Sequence, residues 1–306
     1  MQKEDVLKHF DERIKNNIND ALYVEGLSWE GRLKVLRTYV EIILRFILCD
    51  EACCLTLGNK MIKSRLRDLS PASDFLLNAV DRINALGNDN IHTYKSGTAT
   101  EQDFNNALDA VYDLYAFLFI DYFLKYGVAT NNKVLEIFSL LPPVIRKKTF
   151  SYLWEKDKEN IVVVDKLCLA ILKSDGVAAA RDWVDTNEAL LKQLSCRTRD
   201  FENDFVQKVG ENIASYIFDL GVKNMYEVCL DKINQLSTVI ENQGVLYATY
   251  EEALRFYEKK MSGLYMSHAS EEEFVTLMDF CFKGRESIDN GKNQLVYSVG
   301  NIIGVI

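Results

Sequence analysis

Residues 101–127 read EQDFNNALDAVYDLYAFLFIDYFLKYG, and the period of this stretch decides the fold class. Apolar side chains recur at steps of three and four: Phe104, Ala107, Leu108, Val111, Leu114, Tyr115, Leu118 and Phe119. That spacing matches the α-helical turn and puts all of them on one wide face. Just upstream, Thr100 is followed three residues later by Asp103, a variant of the capping box that opens helices. Downstream, Gly127 and the polar run ATNNK break the pattern and mark the expected domain boundary.

The same period extends outward in both directions. In LKVLRTYVEIILRFIL, residues 33–48, the apolar set Leu33, Leu36, Val40, Ile43, Leu44 and Ile47 forms one broad face, with Arg37 and Glu41 as an i,i+4 pair beside it. MIKSRLRDL at 61–69 fits a short helix. Ser70 is placed to cap the next one, with Pro71 in its first turn, where a missing N–H is harmless. That helix takes in FLLNAVDRINAL, residues 75–86. With a further helix over roughly residues 3–22, residues 1–126 are expected to form a four-helix core with an N-terminal extension.

Residues 127–306 are expected to form a second helical domain. VLEIFSLL stops at Pro142–Pro143, and VIRKKTFSYLWEK, IVVVDKLCLAILK and AAARDWV follow at the rhythm of a helical array. IVVV in isolation reads as a strand, but its surroundings favour a helix. Thr249 with Glu252 and Ser270 with Glu273 have the spacing of capping boxes. The tail LVYSVGNIIGVI, 295–306, reads as a docked C-terminal element rather than a membrane anchor.

Composition narrows the class of function. The 306-residue chain is 48% hydrophobic and holds 16 Phe and 15 Tyr but only 3 Pro, so it can bury a substantial core and is not a disordered chain. The net charge is -9, from 36 basic and 45 acidic residues. A split after Tyr126 leaves both parts mildly acidic, which disfavours a continuous duplex-binding face and leaves room for a local RNA-contacting patch. Seven cysteines show no zinc or disulfide spacing, and no signal peptide opens the chain; the expectation is a cytoplasmic protein with reduced, mostly buried thiols. Apolar runs such as IILRFIL at 42–48 are too short to span a bilayer. His9, His92 and His268 stand in unrelated surroundings, so no metal site is expected. Phosphate-loop, dinucleotide and H-E-x-x-H patterns are absent, and no cofactor is expected.

Taken in order, LRTYVEIILRFIL, TLGNKMIKSRLRDL, the LGNDNIH stretch and the long last helix resemble a HEPN-type helical domain over roughly residues 25–126. They are most similar to an uncharacterised branch found near restriction and phage-defence modules. Ribonuclease members of that superfamily carry an arginine, a polar residue, three variable residues and a histidine. On this chain the positions are Gly87, Asn88, Asp89, Asn90, Ile91 and His92. Asn88 and His92 keep the polar and histidine positions, and Gly87 replaces the arginine, which tells against metal-independent RNA cleavage. The resemblance implies a defence-associated module that binds a partner protein or RNA, and a homodimer, because HEPN clefts often lie between two bundles.

Three readings of LGNDNIH follow. In the first, it is a turn between helices: Gly87 takes a conformation costly for other residues, and Asn88, Asp89 and Asn90 satisfy the local backbone. In the second, it binds nucleotide or RNA without cleaving. In the third, the protein is an endoribonuclease of a toxin or abortive-infection system. His92 is then the acid–base residue, Asn88 the orienting group, and Arg82 or Arg37 the replacement for the lost phosphate charge. A separate candidate for nucleic-acid contact is IRKK, through Arg146, Lys147 and Lys148. Lys63, Arg65 and Arg67 form a similar run. Trp29, Trp154 and Trp183 are too scattered in sequence for a stacking platform and are expected to pack.

Overall fold

A computed structural model of the protein describes residues 2–50, 55–91, 99–128, 130–197, 199–219, 223–263, 265–289 and 291. The fold is all-α, with two helical bundles. The first unit joins Met1–Leu141 to Tyr250–Ile288, and the second is built from Pro142–Thr249.

In the first unit, α1 (Lys3–His9) and α2 (Asp11–Leu22) replace the single N-terminal helix expected over residues 3–22, with Phe10 between them. Next come α3 (Trp29–Leu48), α4 (Lys60–Arg67), α5 (Ser73–Ile91) and α6 (Glu101–Tyr126). Ser28 caps α3 by accepting from the Gly31 amide at 3.1 Å. The expected box opens α6: Asp103 accepts from the Thr100 amide at 2.9 Å, and Thr100 Oγ1 accepts from the Asp103 amide at 3.2 Å. Helix α5 starts at Ser73, later than Pro71, because Ser70 and Ser73 close a turn ahead of it.

Helix α6 departs from the one-sided face read in the sequence. From Ala110 to Phe123, all but Tyr112 and Asp121 are buried. A helix apolar all round must be covered all round. Helices α3 and α5 pack against it from the N-terminal part of the chain. The remaining cover comes from α7 (Asn132–Phe138) and from a return of the chain, α15 (Tyr250–Met261) and α16 (Ala269–Phe282). Phe138 lies 5.1 Å from Phe119 and 5.2 Å from Phe123, and Phe274 lies 5.4 Å from Phe119, all ring centroid to ring centroid. Phe280 stacks on Phe46 of α3 at 4.1 Å.

The boundary expected after Tyr126 is therefore corrected. Residues 127–141 and 250–288 belong to the first unit, because the aromatic surface of α6 needs them as cover. The Ser270–Glu273 box is also corrected: α16 begins after His268, and Glu273 instead accepts from Tyr126 Oη at 2.8 Å and Lys125 Nζ at 3.0 Å. Glu271 takes hydrogen bonds from the Ser267 amide, Asn131 and Lys133, each at 2.9 Å, and these hold its carboxyl down at about 2.

The second unit begins where Pro142 and Pro143 stop one helix and start another. It contains α8 (Pro143–Lys156), α9 (Ile161–Asp175), α10 (Val177–Thr186), the one-turn α11 (Glu188–Leu191), α12 (Arg199–Val209), α13 (Glu211–Asp219) and α14 (Met225–Gln243). IVVV opens α9 as a helix, as its surroundings imply. Helix α9 packs against α8, α10 and α14, and a buried ion pair between Asp165 and Lys232 ties it to α14. The tail at 295–306 lies outside the described residues.

The return is fixed against α2 by Gly284. Its φ is +75°, and a Cβ there would stand 2.8 Å from the Lys15 Cα, on backbone that cannot swing aside. Gly284→Ala is expected to destabilise the protein by about 1–3 kcal/mol, from the left-handed backbone and the collision together. A urea titration checks this, with the whole loss appearing as a lower midpoint.

Candidate functional site

The residues singled out by the resemblance lie on or just beyond α5. Gly87, Asn88, Asp89 and Asn90 are in the helical backbone of its last turns, since the helix continues to Ile91. The turn expected at Gly87, Asp89 and Asn90 is thus corrected: the helix carries through them, and its end lies after Ile91. His92 lies outside the described residues.

Arg82 and Asn84 divide the exposed part of α5 between two sides, because residues two apart in a helix point about 200° apart. Arg82 faces α6. Its Nη2 donates to Asp109 at 2.8 Å and its Nη1 pairs with Asp113. Partial burial alone would lower its pKa, and the two carboxylates more than offset that, so the guanidinium is held firmly charged. Asp81, the residue before Arg82, pairs with Lys63 of α4. Arg82 therefore acts as a clamp between α5 and α6, and its donors are directed away from the Asn84 side.

The Asn84 side has a different arginine. Arg37 of α3 donates from Nη2 to Asn84 Oδ1 at 3.4 Å. Glu41 and Arg45 continue its i,i+4 series along α3, and the Glu41 carboxyl is raised by burial, against the pull of Arg37 and Arg45. The turn before α4 borders the same place: a Cβ on Gly58 would lie 3.8 Å from Asn84 Oδ1. Asn59 in that turn caps α4 by accepting from the Met61 amide at 2.8 Å. So of the two arginines the sequence offered, Arg37 meets Asn84 and Arg82 turns to α6.

The IRKK candidate is corrected. Arg146 is 7% exposed, and burial lowers its pKa, so its guanidinium is not presented to a polyanion. Lys147 reaches both oxygens of Asp175, at 2.8 and 2.9 Å, and Lys148 is half-buried. Of the other basic run, Lys63 pairs with Asp81 and Arg65 with Asp50, while Arg67 is exposed. The tryptophan reading changes as well. Trp29 packs against Phe104, but Trp154 and Trp183 meet at 5.6 Å, an approach their distance in sequence concealed.

Among the described residues, no group of His, Cys, Asp and Glu is placed to hold a metal ion, and no helix is long and apolar enough to cross a membrane. Cys168, Cys229 and Cys281 are buried free thiols, while Cys49 and Cys196 are partly exposed ones. Comparison with protein families, curated proteins and solved structures gives no match.

The continuous helix at Gly87 reverses the sign of the simplest test of this stretch. In a helix interior glycine is worse than alanine by about 0.5–1 kcal/mol. Gly87→Ala is therefore expected to raise the thermal midpoint by a few degrees. A lowered midpoint would mean that the backbone at residue 87 is not helical.

Proposed function

We propose that the protein is a defence-associated, HEPN-like module that binds single-stranded RNA at the α3–α5 face without cleaving it efficiently. One observation carries this reading: the Arg37 guanidinium reaches Asn84, so a permanent cation meets α5 three residues ahead of the position where Gly87 replaces the superfamily's arginine. A guanidinium there supplies the planar, two-pronged donor that phosphate recognition uses. Glycine at residue 87 leaves the position that activates cleavage without its side chain, so binding is favoured over catalysis. The mildly acidic overall charge fits a short local contact better than a long duplex track. The resemblance also motivates a homodimer that places two such faces along one cleft, and a defence-system protein as an additional partner.

The runner-up, a metal-independent endoribonuclease, takes His92 as the acid–base group and Arg37 rather than Arg82 as the phosphate clamp. Arg82 is weakened in that role because two carboxylates already hold it.

Fluorescence anisotropy with a labelled single-stranded RNA at low salt separates these readings. Arg37→Gln is expected to weaken binding about tenfold, the loss of one charged hydrogen bond. Arg82→Gln is expected to leave affinity unchanged while lowering stability. RNA that does not bind, or binds equally well to Arg37→Gln, would contradict the proposal. EDTA-resistant cleavage that disappears in folded His92→Ala would favour the ribonuclease instead. Light scattering that finds only monomer over a broad concentration range would remove the dimer.

A further inference from the structure

In the second unit α8 and α9 pack as a hairpin, and the bonds from Lys147 to both oxygens of Asp175 fix its register. They set the start of α8 beside the end of α9, with Arg146 next to Lys147 and Lys173 close to Asp175. Lys166 precedes Lys173 by two helical turns, on the same side of α9. Arg146 is buried, and Lys166 and Lys173 are half-buried. Three cations therefore gather on one part of the hairpin, where water and salt screen them poorly.

No acidic group balances Lys173. The carboxylates of α9 are taken elsewhere: Asp175 by Lys147, and Asp165 by Lys232 of α14. Lys166 lies 3.5 Å from that same Asp165, and one carboxylate shared by two lysines leaves a net positive charge. Glu155 stands at the far end of α8, 3.2 Å from Lys158. Among the described residues, Lys173 has no hydrogen-bond or ion-pair partner. The two charges that act on it, Arg146 from α8 and Lys166 from α9, are both positive, and none acts from α10 or α14. Burial first, and these two cations second, bring its pKa down to about 7. Near neutral pH much of Lys173 is thus a free amine, where an ordinary lysine is protonated.

A free amine among cations favours the reaction whose product carries the opposite charge. An aldehyde would give an iminium, which restores the positive charge that burial and the neighbouring cations oppose. Carbon dioxide gives a carbamate, which places a negative charge in the field of Arg146 and Lys166. The Nζ lone pair attacks the carbon and forms the N–C bond, one C–O π pair moves onto oxygen, and one N–H proton passes to solvent. No other reactant is needed. Lys173 is only half-buried, and its Nζ is not among the sealed polar atoms that lack a partner, so a molecule as small as carbon dioxide reaches it. We propose that Lys173 is a carbamylation site for carbon dioxide, with the carbamate stabilised by the charges of Arg146 and Lys166. Every residue involved lies in the second unit, so the proposal goes beyond the α3–α5 reading and does not depend on it.

The test incubates the full-length protein with 13C-labelled carbon dioxide and bicarbonate near neutral pH, with glycylglycine in the same tube as the positive control. Carbamate is read by 13C NMR and, after trapping with a trialkyloxonium salt, by mass spectrometry as an alkyl carbamate on the peptide containing Lys173. Lys173 is expected to be labelled saturably while an exposed lysine such as Lys34 is not. Lys173→Gln should lose the signal while circular dichroism still reports a folded protein. Lys166→Gln should lower the occupancy of Lys173 about threefold, because it returns the proton to Lys173 and removes a charge that stabilises the carbamate. Arg146→Gln should lower it further, and the half-buried Lys166→Gln keeps the test decisive if the change at buried Arg146 does not fold. Unlabelled Lys173 beside labelled glycylglycine would overturn the proposal. So would a carbamate signal undiminished in folded Lys173→Gln, or equal occupancy in Lys166→Gln.

Discussion

The first unit depends on covering α6. Its second half buries Leu114, Tyr115, Phe117, Phe119, Ile120 and Phe123 on several sides at once. Each large side chain left in water would forfeit about 1.5–3 kcal/mol, so the helix is stable only inside a ring of other helices. Helices α3 and α5 fill part of that ring, and the return through α15 and α16 fills more. Polar contacts then fix where the return sits. Glu251 at the start of α15 accepts from Tyr23 Oη at 2.6 Å and lies 3.4 Å from Arg285 Nη1, while the Arg285 guanidinium lies 4.5 Å from the centre of the Tyr250 ring. Burial works against the charge on Arg285, and Tyr115, Tyr112, Tyr250 and Glu251 more than offset it, so the group stays ionised in the core. The return is thus anchored by a buried cation whose partners come from α6 and α15.

This also explains what was legible in the sequence. Helical period and local caps are short-range signals, and they located α3 to α10, α15 and α16 but left α11 to α14 unread: Thr100 and Asp103 open α6, Pro142 and Pro143 separate α7 from α8, and IVVV is helical. The Ser270–Glu273 spacing misled because Glu273 is needed by Lys125 and Tyr126, which are remote in the chain. The domain boundary misled for a related reason. Gly127 does end a helix, but the next residues and the return are recruited by apolar faces of α6 that a one-sided pattern did not register. The extreme apolar density of YAFLFIDYF was the available signal.

The site was legible in part. The chemistry of LGNDNIH and the need for a substitute arginine were readable from residue types, whereas the choice between Arg37 and Arg82 required the rotation of α5 between α3 and α6. Asp109 and Asp113, one turn apart on α6, are what commit Arg82 to a structural role. Likewise IRKK looked like a solvent-exposed basic run until the packing of α8 buried Arg146. The Trp154–Trp183 pair shows the opposite error, since residues far apart in sequence become neighbours when α10 packs on the α8–α9 hairpin.

Native-state hydrogen exchange on the full chain, with and without Phe280→Ala, tests the dependence of α6 on its cover most directly. Phe280 stacks on Phe46 and meets the Tyr115 ring edge-on at 6.4 Å, so its loss opens the cover on both α3 and α6. Removing a buried phenylalanine costs about 3–5 kcal/mol. If α3, α6 and α16 form one cooperative unit, the free energies protecting amides in all three helices fall by the same amount in that range. Protection that falls in α16 alone, with α6 unchanged, would contradict the account.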